Sequence, residues 1–170
     1  MRTGFKRFLS SFIVVIMIIA LLPAISFAAD GDTPYTDFTY TVSGSTVTLT
    51  KYKGTATTVV VPGSYVINGT TCTTYLDSKT VFTGNTKIKS VTLKSGIKFK
   101  DNVMSDLFWN CTALTTVNLS AISTTNITKM TNLFRGCSAL TAFNGSNFDT
   151  SKVNSFSFMF QNASKVVFSG

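Results

Sequence analysis

The chain has 170 residues, with 15 Lys and Arg against 7 acidic residues and no His, for a formal net charge of +8. That length allows about one domain once a leader is set aside, and the missing imidazole removes the commonest general base and metal ligand. The basic residues are scattered singly, which argues against the clustered basic face of a nucleic-acid binder.

Residues 1–28 predict a secretory signal peptide. "MRTGFKRF" is a basic leader, residues 9–22 are almost wholly apolar, and Ser26 and Ala28 supply the small residues of a cleavage site. The apolar run is shorter than the ~20 residues a spanning helix needs, and Pro23 follows at once. Cleavage after Ala28 would take Arg2, Lys6 and Arg7 away and lower the net charge to +5, leaving no membrane segment in the mature chain.

Residues 29–80 predict a β-rich capping segment. "FTYTVSGSTVTLT" alternates apolar and hydroxyl residues around Ser43 and Gly44, which reads as a hairpin. "TTVVVPGSYVINGTTCTTY" adds a strand ending at Pro62 and a turn at Asn68-Gly69. A terminal unit of this kind covers the apolar edge that the first turn of a solenoid leaves exposed.

Residues 81–170 repeat with a period of 26. Phe82, Phe108, Phe134 and Phe160 form one column; Ile88, Leu114, Leu140 and Val166 a second; Val91, Val117 and Phe143 a third. Repeats of 20 to 29 residues with L-x-x-L-x-L spacing are the mark of leucine-rich-repeat solenoids. In "LTTVNL" and "LTAFNG" the period-2 residues point inward from a strand that stacks on its neighbours in parallel. The second half of each repeat changes period, with Ile127, Met130 and Phe134, then Val153, Phe156 and Phe160, at i, i+3 and i+7. This predicts short helical turns with one apolar stripe, capped by Thr125 and Ser151. The expected fold is therefore an α/β repeat solenoid: a parallel β-sheet, short helical turns and a small β cap in front. The last repeat is incomplete and stops inside a strand, so a truncated product or a fragment of a longer protein is expected.

Nothing in the sequence points to catalysis, a cofactor or a metal. Asp101 and Asp106, the one close acidic pair, read as solvated positions at a helix start, where negative charge complements the dipole. Cys111 and Cys137 share a column about 5 Å apart across adjacent coils. A disulfide is geometrically allowed, and a buried thiol ladder is the favoured reading. Cys72 has no nearby partner, and the C-x-x-C spacing of structural zinc sites is missing.

The stretch "LFRGCSALTAFNGSNFDTSKVNSFSFMF" resembles the repeat of BspA-like leucine-rich-repeat surface proteins of bacteria, through M-x-x-[LM]-F-x-x-C-[ST]-x-L and the S-N-F-D-T-S-K-V element. "YTVSGSTVTLTKYKGTATTVVVPGSYVINGTTCTTY" is similar to that family's lead-in. The resemblance implies a secreted or cell-surface protein that mediates adhesion or other protein–protein contact with a host or neighbouring cell. Residues 86–101 lack the Cys and the Asp-Thr-Ser element, and Ala163 replaces Cys in the last repeat.

The concave sheet is the usual binding surface of a solenoid. Its outward positions are Ser90, Thr92 and Lys94, then Thr116, Asn118 and Ser120, then Ala142, Asn144 and Ser146, with Asn118 and Asn144 expected to stack as an amide ladder. The face lacks the Trp, Tyr and Arg anchors of tight interfaces, so weak or multivalent binding to an extracellular protein is expected. The alternative is a carbohydrate- or wall-polymer-binding accessory domain, favoured by the positive mature charge and the amide and hydroxyl face. Trp109, with Arg135 as its counterpart one repeat on, is either an exposed contact or simple packing.

Overall fold

The computed structural model describes residues 31–169; the expected signal peptide lies outside them. Among the described residues no helix is long and apolar enough to cross a membrane. The chain opens with a hairpin of β1 (Phe38–Ser43) and β2 (Thr46–Tyr52), followed by β3 (Thr58–Val61) and a second hairpin of β4 (Ser64–Ile67) and β5 (Thr70–Leu76). Asn68 and Gly69, with φ of 50° and 77°, make the second turn, the primed geometry that matches strand twist. The coils then add β6 (Ser90–Leu93), β7 (Lys98–Phe99), β8 (Thr116–Asn118), β9 (Ala142–Asn144) and β10 (Val167–Ser169).

Position 80 does not mark a break in the packing. β3 pairs in parallel with β6, placing Val59 on Val91 and Val61 on Leu93, and β6 pairs with β8. β2, β5 and β7 run parallel beside them, and a single apolar core extends from Tyr35 to Phe143. The amino-terminal strands thus template the first coil.

The expected short helical turns are not there: residues 104–111, 130–137 and 156–163 are chains of tight turns, with no α-helix among the described residues. In a helix every N–H returns to the carbonyl four residues back. Here alternate N–H groups leave for the next coil: those of Met130, Asn132, Phe134 and Gly136 reach the carbonyls of Ser155, Ser157, Met159 and Gln161 at 2.8 to 3.0 Å. The intervening N–H groups close three-residue turns, as from Leu133 to Met130 and from Cys137 to Phe134. The reason lies in left-handed residues at every fourth position: Asp106 and Asn110, Asn132 and Gly136, Phe158 and Asn162 all have φ between 55° and 75°. An L-residue helix excludes such a conformation, whereas Asn, Asp and Gly adopt it at least cost. Thr125 and Ser151 therefore have no helix to cap, and Asp106 sits in a turn where it accepts a 2.9 Å bond from Asn132 Nδ2.

The stripe itself forms as expected in the interior coils. Ile127, Met130, Leu133 and Phe134 are buried, and Phe82, Phe108 and Phe134 stack with centroids 5.5 to 5.6 Å apart and planes within 8°. Phe160 continues the stack at 5.3 Å. Phe156 departs from the expected stripe at 43% exposure: its counterparts Met104 and Met130 lie between two coils, and among the described residues Phe156 has a coil on one side only.

Cys111 and Cys137 are free, buried thiols. Each Sγ–H donates to a carbonyl of the preceding coil, Cys111 to Phe82 at 3.1 Å and Cys137 to Phe108 at 3.0 Å. Burial pushes both thiols up to about 12, so they stay neutral and bind coil to coil through weak hydrogen bonds.

Candidate functional site

Alternation along the strands places the predicted face as read from the sequence. Val91, Leu93, Leu119 and Phe143 point into the core, while Thr116, Asn118, Ser120, Ala142, Asn144 and Ser146 are exposed and Ser90 and Thr92 are half-buried. Three members, Lys94, Asn118 and Asn144, behave otherwise than expected.

Lys94 is held by an ion pair with Asp32, whose own side chain is 3% exposed. An ammonium so engaged tethers the start of the described chain to the end of β6 and is withdrawn from an open binding face. The sequence hid this pairing because the two residues are far apart, and only the β3–β6 contact brings the amino-terminal segment alongside. Thr33 completes the tether: its N–H and Oγ1 bond Val60 at 2.8 and 2.9 Å, and its carbonyl accepts the Tyr65 hydroxyl at 2.9 Å.

Asn118 and Asn144 occupy equivalent places but do not hydrogen-bond to each other. Asn118 Oδ1 accepts the N–H and hydroxyl of Ser120 at 3.1 and 2.8 Å, and Asn144 Oδ1 does the same for Ser146 at 2.9 and 2.7 Å. The Asn-x-Ser spacing, present in both repeats, is the signal that would have given these local turns. The acceptor oxygens being occupied, the Nδ2 groups remain as donors without a protein acceptor among the described residues. The cross-coil bond comes instead from Asn147, whose Nδ2 donates to the Ser120 carbonyl at 3.2 Å. Asn147 was not among the predicted residues.

The strand face is not continuous. β3, β6 and β8 form one sheet and β9 with β10 another. Between β8 and β9 the link is Thr141, whose N–H and Oγ1 both donate to the Thr115 carbonyl at 3.2 Å. The ladder opens where the inward column changes from Val91 and Val117 to Phe143, a larger ring that packs against Phe134, Phe148 and Phe160 with centroids 5.2 to 5.4 Å away. The opening is a shallow groove of about 160 Å³, with Val117 and Phe143 at its floor and Asn118, Asn144 and Asn147 at its rim. Ser90 and Thr92 lie outside it, on the closed part of the sheet. β9 and β10 pair in a register one residue shorter than the repeat, Phe143 on Phe168.

This is an apolar slot edged by carboxamides, suited to holding a chain or ring with hydrogen-bonding edges. Among the described residues no group of three His, Cys, Asp or Glu side chains is placed to hold a metal.

The coil has a counterpart among solved structures. The crystal structure of a T. pallidum leucine rich repeat protein (TpLRR) matches it with a TM-score of 0.51 over 80% of this chain and 69% of that one, at 17% identity. The fold is thus a leucine-rich-repeat-like solenoid. The profile of the family described as Mycoplasma protein of unknown function, DUF285, matches residues 77–168, more than half of the chain, and the chain belongs to that family. No match is found among the curated proteins.

Proposed function

We propose that this chain is a secreted or cell-surface interaction module of the BspA-like leucine-rich-repeat kind, adhering to an extracellular protein of a host or neighbouring cell. Its role is binding and not catalysis, without cofactor. The observation that carries the reading is the groove between β8 and β9, where a solenoid that elsewhere pairs its backbone leaves apolar floor and amide rim exposed to a partner. A slot of that size takes one or two side chains, so single contacts are weak and the strength comes from several copies or modules acting together. Export rests on residues 1–28 read as a cleaved signal peptide.

The same three carboxamides above an aromatic floor favour a second reading, a glycan or wall polymer whose hydroxyls bond the amides. One experiment separates the two. Mature protein beginning at Ala29, with an Asn118→Ala/Asn144→Ala companion, is applied in multivalent form to immobilised extracellular matrix proteins and to a glycan array. Binding to protein that the double variant loses supports the first reading, and binding confined to glycans supports the second. Binding that the variant retains everywhere removes the groove from the function. Recovery of a chain starting at Ala29 from culture medium tests export independently.

A further inference from the structure

The turn side of the coil carries a feature the groove does not explain. Arg135 lies over two aromatic rings from neighbouring coils, its guanidinium carbon 6.0 Å from the Trp109 centroid and 5.3 Å from that of Phe158. Trp109 is 36% exposed and Phe158 58%. Neither of the two ion pairs among the described residues involves Arg135, and its side chain makes no hydrogen bond there. Trp, Arg and a large aromatic are the residue types that dominate protein interfaces.

Phe158 carries the argument further, because the repeat supplies its own control. The same backbone position is Asp106 in one coil and Asn132 in the next, both half-buried and both at positive φ. Phe158 has φ of 58°. Asp and Asn tolerate that left-handed conformation, while a bulky aromatic there is a true outlier. Like Phe156, Phe158 has a coil on one side only among the described residues, and at 58% exposure its ring gains little burial against that coil in return. A side chain both strained and exposed, where the fold's own repeat prefers a small polar one, points to a contact outside the chain.

We infer that Trp109, Arg135 and Phe158 form a second docking surface, for a polypeptide segment that presents a carboxylate beside an apolar or aromatic side chain. The two rings flank the guanidinium, and its N–H groups, without a hydrogen-bond partner among the described residues, are the donors that take a carboxylate through two parallel hydrogen bonds. The flanking rings take the apolar neighbour. The positive charge of the chain favours an acidic partner. This surface stands independently of the groove and does not rest on it.

Trp109 is the only Trp in the chain, so its fluorescence reads this surface directly. The probe is a set of short peptides in which Glu flanks Phe or Leu, with Gln-for-Glu peptides and inorganic polyphosphate as comparators. We expect the Glu peptides to change Trp109 emission saturably, and both Arg135→Gln and Phe158→Asn to weaken them at least tenfold. Phe158→Asn should leave the melting temperature unchanged or raise it. Equal response to the Gln peptides, response to polyphosphate alone, or no response to any Glu peptide overturns the inference. So does a fall in melting temperature for Phe158→Asn, which would make the ring part of the packing.

Discussion

The two sides of the coil are held together differently. On the turn side, alternate N–H groups of each interior coil reach the next one in an unbroken series, and a column of Phe rings and thiols runs beneath them. On the strand side the ladder is complete from β3 to β8, opens before β9 and resumes with β10. Continuity of the solenoid therefore resides in its turns, and its strands are free to part where a ring is too large for the column. The side that carries less of the cohesion is the side with a groove.

The sharpest way to break that comparison is Phe134→Ala. Removing a fully buried ring from the middle of the stack should cost about 3–5 kcal/mol, seen as a large drop in urea midpoint; a loss below about 1 kcal/mol would mean the turn side is not the main source of cohesion. Gly136→Ala comes next. At φ 75°, a Cβ there would collide with the Asn110 side chain of the preceding coil, and we expect a loss of about 1–3 kcal/mol.

The thiol column gives a pH test. Folded Cys111 and Cys137 keep their protons up to about 12, whereas unfolded thiols ionise near ~8.5. Above the lower value the unfolded chain binds fewer protons than the folded one, so stability falls as pH rises, by about 1.4 kcal/mol per pH unit for each thiol. The contribution is full below ~8.5 and is lost towards the folded value. Urea midpoints at pH 8 and pH 10 should diverge less in Cys111→Ala and Cys137→Ala than in the parent, and an equal divergence would place the thiols outside the core.

Smallest should be the effect of Asn118→Ala with Asn144→Ala on stability, within about 0.5 kcal/mol, because both side chains are exposed and bond only their own Ser neighbours. A larger loss would show that the strand side also bears load and would weaken its assignment as a binding face.

The 26-residue period was legible because one column of Phe, one of Leu or Ile and alternating strand residues suffice to fix which side chains meet. The inward and outward strand positions followed from period 2 alone, and they hold at Val91, Leu93, Asn118 and Asn144. The helical turns were misread because i, i+3, i+7 spacing is shared by a helix and by a chain of tight turns whose alternate N–H groups leave for a neighbour. Asn and Gly at fourth positions, such as Asn132 and Gly136, were the local warning.

By itself the sequence determined the repeat, the core columns and the hairpins at Gly44 and Asn68-Gly69, since each depends on residues close together or one period apart. Only the tertiary structure decided that Lys94 is bound to Asp32, that the sheet opens beside Phe143, and that Arg135 rests on Trp109 and Phe158. Those outcomes depend on the spacing of neighbouring coils and on backbone routes across many residues. They are set by how much room each side chain demands between two stacked turns, a quantity that no single turn of the sequence contains.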